Sequence, residues 1–93
     1  MENKVNIYLE YCVPWNYAPR AVSALNDLMA NYQHIIDEIT VKTGTKGVFD
    51  VKVDDTMIYS KHDTGRHAEE GEVLELFKQH IGPDVQTYPQ SKG

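Results

Sequence analysis

A chain of 93 residues has room for one domain built around one modest core, and too little for two. Its formal net charge of -5, with 9 scattered Lys and Arg, excludes the clustered positive face that a phosphate backbone requires, so no nucleic-acid partner is expected. No apolar run approaches the roughly 18 residues of a membrane span, and Met1-Glu2-Asn3-Lys4 leads into strand-like alternation without a signal-peptide h-region, so a cytoplasmic protein with no membrane partner is the expectation.

In chain order, Val5, Ile7 and Leu9 alternate with Asn6, Tyr8 and Glu10, which predicts a strand over about residues 3–11, buried mainly on one face. After a loop at Cys12, the residues Ala18, Ala21, Val22, Leu25, Leu28, Met29 and Tyr32 recur at spacings of three and four and draw an apolar stripe down a helix. Asn16 is placed to cap that helix, and Pro19 falls in its first turn, where a missing N–H breaks no intrahelical bond. Ile35, Ile36, Ile39 and Val41 mark a second strand, which must turn at Thr43-Gly44-Thr45-Lys46-Gly47. Phe49, Val51 and Val53 share one face of a third strand, and Asp54-Asp55 connects it tightly to Met57-Ile58-Tyr59, an antiparallel hairpin. Ser60 to Arg66 reads as a polar loop. Val73, Leu74, Phe77 and Ile81 predict a second helix from about Ala68 to the stop at Gly82-Pro83. Residues 84–93 lack periodicity and are expected to be a flexible tail behind a domain of residues 1–83.

The order β-α-β-β-β-α predicts an α+β fold. The first two strands pair in parallel through a helical crossover, and the hairpin extends the sheet antiparallel. So short a chain covers one face of the sheet with both helices, which gives a two-layer domain with a four-stranded mixed sheet, related to the thioredoxin-like arrangement.

The chemistry-bearing stretch is Tyr11-Cys12-Val13-Pro14-Trp15-Asn16-Tyr17, which lies between the first strand and the first helix and holds the only cysteine. A lone cysteine forms no internal disulfide and is most often a small buried hydrophobe. A thiol at the end of a strand and the start of a helix instead feels the helix dipole and unpaired backbone N–H groups, so Cys12 is expected to be partly exposed and activated. Redox sites of the Cys-x-x-Cys kind place a second sulfur three residues on, and here that position is Trp15. The four histidines, His34, His62, His67 and His80, lack ligand spacing, so neither a metal nor a cofactor is expected. His67 is the one whose loop would approach Cys12 and offer a base, although a surface role is commoner.

Together with Gly44-Thr45-Lys46-Gly47-Val48-Phe49-Asp50-Val51, Met57-Ile58-Tyr59-Ser60-Lys61 and Gly65-Arg66, that stretch resembles the selenoprotein W-like (Rdx) family over about residues 4–82. The resemblance implies a thioredoxin-like fold and thiol redox chemistry with glutathione or protein thiols as partners. It assigns Cys12 to the first redox position and Trp15 to the place of the second, a cysteine or selenocysteine. Val13, Pro14 and Tyr17 then flank the site, and Arg66 is a candidate to stabilise a thiolate or a glutathione carboxylate. Two departures stand out. Trp15 removes the resolving atom, and His67-Ala68 stands where members often have Phe-Pro. The prolines, Pro14, Pro19, Pro83 and Pro89, leave none in the middle strands to face the cysteine as thioredoxins do.

The Trp codon differs by one base from UGA, the selenocysteine codon, so one reading has Trp15 standing in for selenocysteine. As written, the chain is expected to be a monothiol redox protein, or inactive in dithiol exchange. The alternative is a non-catalytic module that docks on a protein partner through the loop from Cys12 to Tyr17.

Overall fold

The structure is a computed structural model that describes residues 4–89. Strand β1 (Val5–Cys12) is followed by helix α1 (Ala18–Tyr32), a 3₁₀ turn (Gln33–Ile35), and strands β2 (Ile36–Gly44), β3 (Phe49–Val53) and β4 (Thr56–Ser60). A short helix α2 (Lys61–Thr64) and a longer one, α3 (Glu72–Ile81), complete the order. The strands form one sheet in the order β2-β1-β3-β4, with β1 parallel to β2 and antiparallel to β3. This is the expected α+β fold with its mixed sheet.

One face of the sheet is covered. Alternation sends Ile7 and Leu9 of β1, and Phe49, Val51 and Val53 of β3, into a single core, where they meet Ala21, Ala24, Leu28 and Tyr32 of α1 and Val73 and Phe77 of α3. Two alanines on the buried stripe of α1 let that helix lie close to the sheet, and Tyr32 packs its ring 5.1 Å from that of Phe77. The opposite face carries polar side chains. Tyr8 donates to Glu10 at 3.0 Å there, and the Lys52 ammonium sits 5.5 Å from the Tyr8 ring centre.

Local chemistry moves three boundaries from where the sequence pattern puts them. Asn16 does not cap α1. It adopts a left-handed conformation (φ 59°) that closes the turn before the helix, so Tyr17 takes the cap position and offers no side-chain hydrogen bond. Ser60 accepts from the Asp63 N–H at 3.4 Å and starts the short helix α2 inside the expected loop, with Gly65 (φ 75°) ending it. The last helix begins at Glu72, not near Ala68, because Gly71 (φ 82°) is outside helical space.

Two residues of the segment expected to be a flexible tail, Gln86 and Tyr88, lie within hydrogen-bond distance of the domain. The Tyr88 N–H donates to the Asn31 carbonyl at 2.6 Å, and His34 Nε2 lies 3.0 Å from the Gln86 carbonyl oxygen. Residues 90–93 of that segment lie outside the described residues.

Phe77 is fully buried where α3, α1 and the sheet meet. Phe77→Ala is expected to cost about 3–5 kcal/mol of stability, read from urea denaturation. A loss below about 1 kcal/mol would contradict this placement of α3.

Candidate functional site

The site is built where the chain crosses itself. β1 lies between β2 and β3, so residues 45–48, which join those two strands, must pass the C-terminal end of β1. Lys46 (φ 61°) and Gly47 (φ 77°) are both left-handed, and the Val48 N–H reaches back to the Thr45 carbonyl at 3.3 Å, which makes a type I′ turn. At the same end, Val13 to Asn16 form a second turn, closed by the Asn16 N–H on the Val13 carbonyl at 2.9 Å. The two turns are tied together: Cys12 pairs in register with Gly44, and the Val13 N–H donates to the Gly44 carbonyl at 3.0 Å.

Cys12, the last residue of β1, is therefore covered. Its exposure is 0%, which corrects the expectation of a partly exposed thiol. Its side chain belongs to the hydrophobic core, and the Tyr17 N–H bonds the Cys12 carbonyl at 3.1 Å, which draws the turn back over the strand end.

Trp15, three residues beyond Cys12, lies against Gly47. A methyl group built on Gly47 would stand 2.5 Å from Trp15 Cζ3, so the indole sits on bare backbone. The rest of the ring faces outward: Trp15 is 58% and Val13 50% exposed, and Pro14 is exposed with them. The Trp15 edge meets the Tyr17 ring at 6.1 Å between centres and an interplanar angle of 77°.

Tyr17 is buried and carries the turn into the rest of the molecule. Its ring is 4.6 Å from the His67 ring, edge to face, and the Lys61 ammonium is 5.9 Å from its centre. The loop before the last helix thus does approach the Cys12 loop, and the contact is with the Tyr17 ring. Burial, then the nearby Arg20 and Lys61 charges, push the His67 pKa down from its usual 6.5, which favours the neutral imidazole. Its Nδ1 is buried without a hydrogen-bond partner among the described residues.

Arg66, singled out as an anion-binding candidate, is committed elsewhere. It forks the Glu72 carboxylate with two bonds of 2.7 Å and donates to the His67 carbonyl at 2.9 Å. Glu72 also accepts from the Glu69 N–H at 2.9 Å, so one carboxylate at the start of α3 pins the loop that presents His67. The Tyr59 hydroxyl donates to the Arg66 carbonyl from below.

The pattern of residues did not disclose a cleft of about 280 Å³ between α1 and this loop, lined by Arg20, Asp27, Phe49, His67, Glu69 and Val73 among others. Its only local signal is the spacing of Arg20, Ser23 and Asp27 on one flank of α1. Cys12 and Trp15 do not line it. Among the described residues, no group of three or more His, Cys, Asp or Glu side chains converges to hold a metal, and no helix is long and apolar enough to cross a membrane.

The family model described as the Rdx family matches residues 6–79. Among solved structures, the fold resembles a selenoprotein W-related protein from Vibrio cholerae (TM-score 0.78, 20% identity, covering 86% of this chain and 100% of that one). It is similarly close to a protein from Bordetella parapertussis (TM-score 0.77, 19% identity, 84% and 99% covered). A search of curated protein sequences finds no match to the chain.

Two predictions test this geometry. Gly47→Ala should lose roughly 1–2 kcal/mol from the left-handed backbone alone. It should also displace the Trp15 ring, seen as a changed emission of the sole tryptophan, and an unchanged spectrum would contradict the stacking. The second concerns pH. Arg66 holds Glu72 down to about 2, from 4.5, so its contribution is complete above pH 4.5 and is lost as pH falls toward 2. Melting curves of the native chain and of Glu72→Gln should differ most near neutrality and converge between about pH 4.5 and 2. A gap independent of pH would rule out the ion pair as its source.

Proposed function

Because the chain belongs to the Rdx family, we propose that it is a thiol redox protein of the selenoprotein W-like type, with Cys12 as its nucleophile and glutathione or protein thiols as its partners. The observation that supports this most is the place of Cys12, at the C-terminal end of an inner strand and beside two turns that are tied together there. The Cys12 thiolate attacks one sulfur of an oxidised disulfide, a Cys12–S–S–R bond forms, and the other half leaves as a thiolate. With Trp15 at the second position, no internal sulfur or selenium attacks the mixed disulfide. An external thiolate does so instead, and the Cys12 thiolate is the leaving group. This is a monothiol cycle without a bound cofactor, suited to a reducing cytoplasm.

Burial sets the pace of that cycle. A partner sulfur reaches Cys12 only when the turn of Val13 to Asn16 lifts from the Gly44 carbonyl, which takes Trp15 off Gly47. If codon 15 in the source gene is UGA, the natural pair is cysteine with selenocysteine and the full two-step exchange applies. A UGG codon makes the monothiol cycle the native one.

A second reading is favoured by the exposure of Val13 and Trp15 beside a sealed cysteine: a non-catalytic module that docks on a protein partner through this loop. One experiment separates the two. Exposed to oxidised glutathione, the folded chain should gain a single adduct on Cys12, more slowly than the unfolded chain does, and reduced glutathione should remove it. In Trp15→Cys the adduct should give way to an internal disulfide. Reaction of the unfolded chain alone would defeat the redox reading, and loss of a partner upon Trp15→Ala would then carry the docking one.

A further inference from the structure

Strand β2 forms the edge of the sheet farthest from α3, which packs on β4. The order β2-β1-β3-β4 leaves one side of the nine-residue strand β2 unpaired among the described residues, a long edge rich in β-branched residues. Register with β1 fixes its two faces. Ile39 and Val41 stand beside Ile7 and Leu9 on the helix side, and Glu38, Thr40 and Lys42 stand beside Asn6, Tyr8 and Glu10 on the open side. Val41 is 48% exposed, and neither Glu38 nor Lys42 is in an ion pair among the described residues.

Helix α1 extends the apolar part of this edge. Its flank of Arg20, Ser23 and Asp27 lines the cleft toward the 67–71 loop. The flank on the other side of its buried stripe holds Val22 and Met29, two turns apart, so it faces away from that loop, over the β2 side of the sheet. These two side chains are 66% and 45% exposed, so with Val41 this edge carries three of the exposed large apolar residues.

We propose that this edge is the interface with a second copy of the chain: two β2 strands pair antiparallel about a twofold axis through Thr40 and join two sheets into one. The axis position follows from the sequence. With Thr40 opposite the partner's Thr40, Ile39 meets the partner's Val41 on the helix side, and Glu38 meets the partner's Lys42 on the open side. Both contacts occur twice by symmetry. Moving the axis one residue sets Asp37 opposite Val41, or Glu38 opposite Gly44, and loses both ion pairs. Moving it two residues sets Glu38 against its own copy, or Lys42 against its own. Among these neighbouring registers, the strand is self-complementary in charge and in apolar pairing only at Thr40. That register also brings the Val22 and Met29 flanks of the two helices to either side of the Ile39 and Val41 pairs.

Sedimentation equilibrium of the full chain, with a reductant present so that no Cys12 cross-link contributes, reads the result. We expect a reversible dimer of the 10.6 kDa chain in the micromolar to millimolar range. Glu38→Lys and Lys42→Glu, both on exposed positions, should each weaken it by about tenfold or more while circular dichroism stays unchanged. The double exchange, Glu38→Lys with Lys42→Glu, should restore it, because each new lysine again meets a glutamate across the axis. A monomer throughout the concentration range would overturn the proposal, as would a dimer indifferent to both single reversals or one that the double exchange fails to rescue.

Discussion

A chain that leaves β2 and must begin β3 cannot reach it without passing the end of β1, because β1 lies between them. That constraint governs the site more than any single side chain does. The passage is too short to arch away: residues 45–48 turn on two left-handed positions and drop straight into register with Tyr11. Whatever follows β1 must leave under or beside this passage, and the Val13 N–H on the Gly44 carbonyl shows that it leaves beside it, tied to it. A cysteine at the end of β1 then sits beside both turns, with its side chain wholly buried in the core. Local opening of such turns draws on few buried contacts, so it is reached well below the free energy of global unfolding.

Tyr17 carries this local arrangement into the rest of the fold. It is the first buried side chain after the turn, and its ring is shared by Trp15, His67 and Lys61. His67 belongs to a segment without regular structure, so it needs an anchor. Glu72 supplies one by binding Arg66 and the Glu69 N–H at once. A protonated imidazole beside Lys61 and Arg20 would meet two like charges in a partly desolvated place. The depressed pKa of His67 and its use as an aromatic edge against Tyr17 are thus two aspects of one arrangement.

Much of the fold is legible in the residues because its strongest signals are local. Period-two alternation at Val5 to Leu9 and at Phe49 to Val53 gives both strands and their buried face, since each is covered on one side alone. The stripe on α1 is legible as a helix but not in its edges. Val22 and Met29 fall within the apolar pattern yet point past the sheet, because the residues that touch the core are Ala21, Ala24, Leu28 and Tyr32. Asn16 and Gly71 are misleading for the same reason. Each is read as continuing or capping a helix, when its backbone takes a left-handed turn that only the three-dimensional path requires. The burial of Cys12 is the least legible feature. It comes from packing in the core with residues as distant along the chain as Phe49 and Phe77, which no window around the cysteine contains.

Trp15 has a physical explanation that does not depend on its origin. Gly47 is demanded by its own backbone: at φ 77° in a type I′ turn, a side chain is strained whatever stands nearby. That demand leaves a bare patch of main chain beside position 15 before any residue is placed there. A small chalcogen residue at 15 would leave the patch open to an approaching partner, whereas an indole fills it and gains contact area without asking any other residue to change. The fold therefore tolerates Trp15 because of a glycine that the β2–β3 crossing already required. The same contact places an aromatic ring on the turn that the Val13 N–H ties to the Gly44 carbonyl.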